Sequence, residues 1–262
     1  IQAMSLSPDG RWLAASTLSG LALVWDLTAP SLAESIPSEM QHDSAVRALA
    51  FNRDSSLLVT GTGGNGWELS VRVWKLNTSE SPQLLHQLNG HNDVVRSVAV
   101  SPSGRWVLSG AWDYTARLWD LQQSDPVATA RSWSFNGRLF ATGFSPDEKW
   151  AAAGSWDSTV KLINLQHPND EPLNLAQHRG RILDLAFSPD NHWLATAGED
   201  QRVVLWDLTA ANPTTAFVVI RSPTGSGSGV RVNFSPDSRW LAAYGASAFS
   251  SDGAWLVTAS ND

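Results

Sequence analysis

Residues 90–121 open with Gly90-His91 and run through Val94-Val95-Arg96-Ser97-Val98-Ala99-Val100 into Ser101-Pro102-Ser103-Gly104. They then carry Trp106, Ser109, Asp113 and Trp119-Asp120-Leu121. The local chemistry reads as strand, turn, strand, turn, strand. Residues 94–100 are rich in β-branched side chains, and the Ser-Pro-Ser-Gly after them puts Pro second and Gly fourth, as a tight turn requires. Residues 106–110 and 116–121 read as the second and third strands. Residues 84–88, ahead of Gly90-His91, read as the fourth strand of the preceding unit. No window carries a helical period of apolar residues, so the sequence predicts an all-β chain.

The pattern recurs. Turns of the Ser-Pro-Asp-Gly kind start at Ser7, Asn52, Ser101, Ser145, Ser188, Ser235 and Ser250, with successive spacings of 45, 49, 44, 43, 47 and 15. A unit a little over forty residues long, with Gly-His early and Trp-Asp late, is one blade of four antiparallel strands in a β-propeller. In these features nearly the whole chain resembles the WD-repeat (WD40) family. The expectation is a seven-bladed β-propeller of four-stranded antiparallel blades, incomplete in this chain, with six or eight blades as the alternatives. It is read as a single domain over 1–262, with units near 1–27, 28–76, 77–121, 122–165 and 166–208 and partial units at 209–246 and 247–262. Relative to the other units, about 28 to 30 residues, a third and a fourth strand, are missing between Gly245 and Ala248. A true deletion would leave unpaired strand edges, so separately ordered segments of a longer chain are expected to meet there. Ile1 aligns with Val46, Val95 and Ile182, inside a first strand. Ring closure would therefore use a strand before Ile1 and third-strand residues after Asp262.

Composition narrows the function. At 262 residues and 42% hydrophobic content the chain can bury a large core. The net charge is −7, and the 18 Lys and Arg are spread along the sequence. Neutralising phosphates needs clustered cations, so no nucleic-acid or membrane partner is expected, although a local basic patch is compatible with the count. The absence of cysteine excludes disulfides and thiolate metal sites. No apolar run approaches membrane-spanning length and no signal peptide opens the chain, so the expected location is cytoplasmic. His42, His86, His91, His167, His178 and His192 show no metal-binding spacing, and neither a metal nor a cofactor is expected.

The 14 tryptophans follow the repeat. Trp12, Trp106, Trp150, Trp193, Trp240 and Trp255 start second strands, and Trp25, Trp74, Trp119 and Trp206 sit on third strands. Both sets are expected to pack between neighbouring blades. Trp67, Trp112, Trp133 and Trp156 fall outside this scheme.

The WD-repeat resemblance implies a side-chain relay from a His before the first strand, through a Ser or Thr on the second and an Asp in the next turn, to the third-strand Trp. His91, Ser109, Asp113 and Trp119 occupy those positions, and His178, Thr196, Asp200 and Trp206 repeat them at the same spacing. A Ser-His-Asp set invites a catalytic reading, but a catalytic constellation occurs once, and no G-x-S-x-G elbow accompanies this one. The relay is read as structural. Elsewhere it decays: His42, Thr60 and Trp74 keep Glu68 as a stand-in for the Asp. The first unit has Ala15, Ser19 and Trp25. In the fourth, Phe135, Ala153, Asp157 and Ile163 leave only the Asp.

Two glycine-rich stretches mislead. Residues 61–66 match G-x-G-x-x-G by letter, but a strand rather than a helix follows, which argues against a dinucleotide site. Residues 224–229 read as a loop. Asp9, Asp147, Asp190 and Asp237 favour turns through local hydrogen bonds, with no calcium-ligand cluster behind them.

Loops on a rigid scaffold are where binding residues concentrate, and the resemblance implies peptide or partner docking on the face built from the His and Asp loops. Trp112 and Trp156 immediately precede the Asp in their turns, where Glu199 sits in the fifth unit. With Trp67, Arg47 and Arg96 they form the candidate partner-binding set. The alternative for the two indoles is that they lie flat over adjacent loops and bind nothing. The expected function is a non-enzymatic protein-interaction scaffold or recognition module. Its alternative is a sensory or autoinhibitory domain of a larger signalling protein such as an NTPase, kinase or protease, whose own other domains would then be partners.

Overall fold

The computed structural model describes residues 1–28, 37–64, 68–76, 81–221, 231–243, 246–250 and 252–259. Among these residues there is no helix, and all strand pairing is antiparallel. The chain forms two compact units, Ile1–Ser134 and Phe135–Asp262. The first holds three four-stranded sheets. They are β1 (Ala3–Leu6), β2 (Trp12–Ser16), β3 (Leu21–Asp26) and β4 (Ser38–Gln41); β5 (Val46–Phe51), β6 (Leu57–Thr62), β7 (Val71–Lys75) and β8 (Gln83–Leu88); and β9 (Val95–Val100), β10 (Trp106–Ala111), β11 (Thr115–Asp120) and β12 (Arg131–Ser134). The second holds two such sheets, β13 (Leu139–Phe144), β14 (Trp150–Ser155), β15 (Val160–Asn164) and β16 (Leu173–Leu175), then β17 (Ile182–Phe187), β18 (Trp193–Gly198), β19 (Arg202–Asp207) and β20 (Phe217–Arg221). Two hairpins follow, β21 (Val232–Phe234) with β22 (Leu241–Ala243), and β23 (Ala246–Phe249) with β24 (Leu256–Ala259). Within each four-stranded sheet the strands lie in chain order. The sequence units run one strand out of phase with the sheets: β4 closes the first sheet although it lies in the second unit. The expected loss between Gly245 and Ala248 and the loop at 224–229 involve residues outside those described.

One turn, repeated seven times, sets the β1–β2 type of connection. Its fourth residue is left-handed each time: Gly10, Ser55, Gly104, Glu148, Asn191, Ser238 and Gly253, with φ between 56° and 77°. The N–H of that residue donates to the carbonyl of the first, as in Gly10 to Ser7 at 2.9 Å and Asn191 to Ser188 at 3.0 Å. The Ser hydroxyl serves two groups. Ser145 Oγ donates to Asp147 Oδ1 at 2.6 Å and accepts the Trp150 N–H at 2.9 Å, and Ser235 repeats both bonds with Asp237 and Trp240. These local bonds explain why Ser, Pro and Asp recur in this order.

Non-glycine residues tolerate the left-handed region here because three of them tie adjacent sheets together. The Asp9 N–H donates to Ser55 Oγ at 3.2 Å, the Asp147 N–H to Asn191 Oδ1 at 2.8 Å, and the Asp190 N–H to Ser238 Oγ at 3.0 Å. Each bond runs from one turn to the next, so side-chain chemistry offsets backbone strain.

The core lies between consecutive sheets. Ala14, Val24 and Met40 of the first sheet pack with Val46, Leu58 and Trp74 of the second. Val59, Val71 and Val73 then pack with Val95, Val107 and Trp119 of the third. In the second unit Trp150, Ala152 and Leu162 pack with Ile182, Leu194 and Trp206. Trp119 and Trp206 are fully buried. The second-strand indoles carry a cation or imidazole from the residue before: Arg11 lies 4.7 Å from the centroid of Trp12, Arg105 4.6 Å from Trp106, and His192 stacks on Trp193 at 4.5 Å. Trp240 and Trp255 depart from the expected interblade packing, at 63% and 72% exposed. Each immediately precedes the second strand of a two-stranded hairpin, so no third strand covers the ring among the described residues. Trp133, unassigned by the repeat, is half-buried on β12.

The Asn191 bridge is testable by equilibrium unfolding. Asn191→Ala keeps the left-handed strain (φ 64°) and removes the bond to Asp147, for an expected loss of about 1 to 2 kcal/mol. Asn191→Gly removes the bond but relieves the strain, so it should cost less. A glycine variant as unstable as the alanine variant would contradict this account.

Candidate functional site

In four of the five four-stranded sheets the loop before the first strand and the turn between the second and third strands are joined by one carboxylate. Asp113 Oδ2 accepts the Asn92 N–H at 2.9 Å while Oδ1 accepts the Thr115 N–H at 2.9 Å. Asp157 does the same for Asn136 at 2.7 Å and Thr159 at 3.0 Å. Asp200 does so for Arg179 at 2.8 Å and Arg202 at 3.2 Å. In the second sheet Glu68 Oε2 accepts the Asp43 N–H at 2.9 Å, its longer side chain serving where the turn is enlarged. A backbone bond completes each clamp: the N–H groups of Trp112, Trp156 and Glu199 donate to the carbonyls of Val94, Arg138 and Arg181 at 2.9, 2.9 and 2.8 Å. In the second unit close approach adds a glycine requirement. A Cβ on Gly137 would lie 2.8 Å from the Asp157 nitrogen, and one on Gly180 2.9 Å from that of Asp200.

On two of these clamps sits a hydrogen-bonded imidazole. His91 Nδ1 lies 2.8 Å from Asp113 Oδ2, its Nε2 lies 2.7 Å from Ser109 Oγ, and the Trp119 indole N–H donates to that oxygen at 3.0 Å. The carboxylate can only accept, so Nδ1 carries the hydrogen, and in the neutral ring Nε2 then accepts from the hydroxyl. His178, Asp200, Thr196 and Trp206 repeat the chain at 3.0, 2.9 and 3.0 Å. Ser109 and Thr196 are fully buried. Their oxygens are committed to neighbours, out of reach of any substrate. Burial alone would raise the Asp113 carboxyl, but His91, Thr115 and the Asn92 N–H outweigh it and hold it well below the ordinary range.

The second sheet has a looser version. His42 Nε2 is 3.4 Å from Thr60 Oγ1, and His42 Nδ1 stands 3.8 Å from Glu68 Oε1, too far for a hydrogen bond. Glu68 is instead anchored by the Arg72 guanidinium at 2.7 Å. Burial raises its carboxyl, and His42, Ser70, the Asp43 N–H and Arg72 together bring it down to about 2. In the fourth sheet Phe135, Ala153 and Ile163, at 7%, 0% and 1% exposed, replace the polar chain by apolar packing.

A β-bulge re-aims the second residue of four first strands. The pairing register skips Arg47, Arg96, Phe140 and Leu183. Arg47 is thereby turned to donate to the Gly63 carbonyl at 3.2 Å and to Gln2 Oε1 at 2.9 Å. Arg96 and Trp112 are half-buried in the same unit. Trp67 lies outside the described residues.

In the second unit the structure assembles what the sequence left scattered. Phe140, on its bulge, stacks on Trp156 with centroids 4.7 Å apart and planes 8° apart. The Arg181 guanidinium from the next sheet lies 4.0 Å from the Trp156 centroid, and Arg138 lies 5.7 Å away. Glu199 Oε2 meets Arg181 Nε at 3.6 Å, with both side chains 47% exposed. Trp156 is thus half-buried and held by neighbours rather than projecting freely, close to the flat-lying alternative. Phe140, Arg138 and Arg181 are absent from the candidate set read from sequence. The sequence signal for them was the pair of Arg residues, each one position before a first strand.

The relay residues can be compared by chemical denaturation. Asp113→Ala strands His91 and releases the Asn92 N–H, for an expected loss of about 1 to 3 kcal/mol. Asp157→Ala releases the Asn136 and Thr159 N–H groups but strands no imidazole and should cost much less. Equal losses would sink the assignment of the difference to His91.

The family profile described as WD domain, G-beta repeat matches residues 1–26, 35–75, 82–120, 143–164 and 171–207, more than half of the chain. Among curated relatives, the protein groucho of Drosophila melanogaster is 29% identical over 146 residues, covering 55% of this chain and 18% of groucho. Nuclear distribution protein PAC1 of Arthroderma benhamiae is 37% identical over 128 residues, 45% of this chain and 26% of PAC1. The Poly(A)+ RNA export protein of Schizosaccharomyces pombe is 29% identical over 133 residues, 49% of this chain and 35% of that protein. The chain therefore spans about a third or less of the length of these relatives. The repeated clamps, the third-strand Trp-Asp pairs and the profile match lead to one conclusion: this chain belongs to the WD-repeat family.

Proposed function

We propose that this chain is a non-enzymatic protein-interaction module that docks a peptide or a partner domain on the loops bearing the His and Asp positions. WD repeats generally serve as scaffolds for binding other proteins, and no relative named above carries an enzymatic name. The observation that carries the reading is the Trp156 cluster. An indole, a stacked phenyl ring and an exposed guanidinium from the next sheet converge on loops fixed by carboxylate clamps. Aromatic and arginine side chains on a rigid base are the groups that dominate binding energy at protein interfaces. Trp112 holds the equivalent place in the first unit, with Arg47 and Arg96 on its first strands; in the second unit the proposed docking residues are Trp156 and Glu199.

The test selects binders from a displayed random-peptide library against the intact chain and measures their affinity for Trp112→Ala/Trp156→Ala. Loss of a hot-spot aromatic costs about 2 kcal/mol or more, roughly thirtyfold in affinity. The double variant should therefore lose at least that factor while melting near the parent temperature. Binders that hold the double variant as tightly as the parent would refute docking at these loops.

A further inference from the structure

The kind of partner can be read from the charges around Trp156, an inference that rests on the docking proposal above. The chain carries a net charge of −7. Around this indole the balance reverses. Arg138 and Arg181 approach its ring at 5.7 and 4.0 Å. Lys161 lies 5.3 Å from the ring of Phe135, the residue that replaced the relay His. Arg179 is exposed on the loop that also carries Arg181.

The acids nearby fall into two groups. Asp157 and Asp200 spend both carboxylate oxygens on the clamps, accepting from Asn136, Thr159, Arg179, Arg202 and His178. Glu199 has no such duty. Its carboxylate stands 3.6 Å from Arg181 in a pair whose side chains are both 47% exposed, and such a solvated contact is weak. A guanidinium held 4.0 Å from an indole centroid keeps N–H groups for an acceptor, and Arg is the side chain that takes a carboxylate in two parallel bonds.

We infer that the docked segment is an acidic peptide, and that Glu199 occupies the Arg181 edge in its absence and is displaced when the peptide's carboxylate arrives. Glu199 is thus a built-in competitor, and Arg181 the residue that sets specificity.

Fluorescence anisotropy on the full chain tests this with two labelled probes at low salt, an octapeptide of alternating Glu and Ala and a uridine octanucleotide. The acidic peptide should bind saturably. Arg181→Ala should weaken it at least tenfold, Arg181→Lys should weaken it less, and Glu199→Gln should tighten it several-fold, with all three variants melting near the parent. No saturable peptide binding, indifference to Arg181→Ala, or no tightening in Glu199→Gln overturns the inference. Tighter, Arg181-dependent binding of the oligonucleotide also overturns it, in favour of a nucleic-acid ligand. The two proposals fail separately. Library-selected peptides that need Trp156 but ignore Arg181 and Glu199 leave docking intact and remove only the acidic partner.

Discussion

A carboxylate that accepts two backbone N–H groups from two different loops is the constraint on which the rest of this structure depends. In the sheets centred on Asp113, Asp157 and Asp200 it fixes the loop before the first strand against the turn between the second and third, and in the second sheet Glu68 reaches that loop through a single backbone N–H, that of Asp43. The turn-side bonds, from Thr115, Thr159 and Arg202, are half-buried, where a backbone donor needs an acceptor, and a charge-assisted bond is a strong way to supply one. The clamp also determines what these loops can present. Trp112, Trp156 and Glu199 each directly precede a clamping Asp and are pinned by their own N–H, so their side chains are offered from a fixed backbone.

The His relay is secondary to the clamp. Where His91 and His178 are present, the imidazole joins the carboxylate to a buried hydroxyl and indole. Where they are not, Phe135, Ala153 and Ile163 fill the same space without polar atoms, and Asp157 keeps its backbone partners. Removing every member of a buried polar chain strands nothing, which is why the whole set can disappear while a single deletion is costly. The fourth sheet, freed of its relay, is also the one whose turn carries Trp156 against Phe140 and Arg181.

Most of the strand framework was legible in sequence because turn and strand chemistry are local. Residues 94–100, 106–110 and 116–121 correspond to Val95–Val100, Trp106–Ala111 and Thr115–Asp120. Both full sets of relay positions lie within hydrogen-bond distance, since their spacing is fixed by strand pairing. What sequence did not reveal depends on contacts between sheets. Ser55, Asn191 and Ser238 adopt left-handed backbone to reach the preceding turn, a purpose invisible in any one repeat. Phe140 meets Trp156 only because a bulge redirects it, and Arg181 arrives from the following sheet. Trp240 and Trp255 share the sequence position of Trp150, yet burial requires covering strands that the two hairpins do not supply.

The clamp is most directly tested by amide hydrogen exchange in Asp157→Ala, the variant that removes the carboxylate without disturbing an imidazole. If the clamp fixes the loops, protection falls at Asn136 and Thr159 and in the flanking segments 135–138 and 155–159, while amides inside β14 and β15 exchange as in the parent. Unchanged protection at Asn136 and Thr159 would contradict the account.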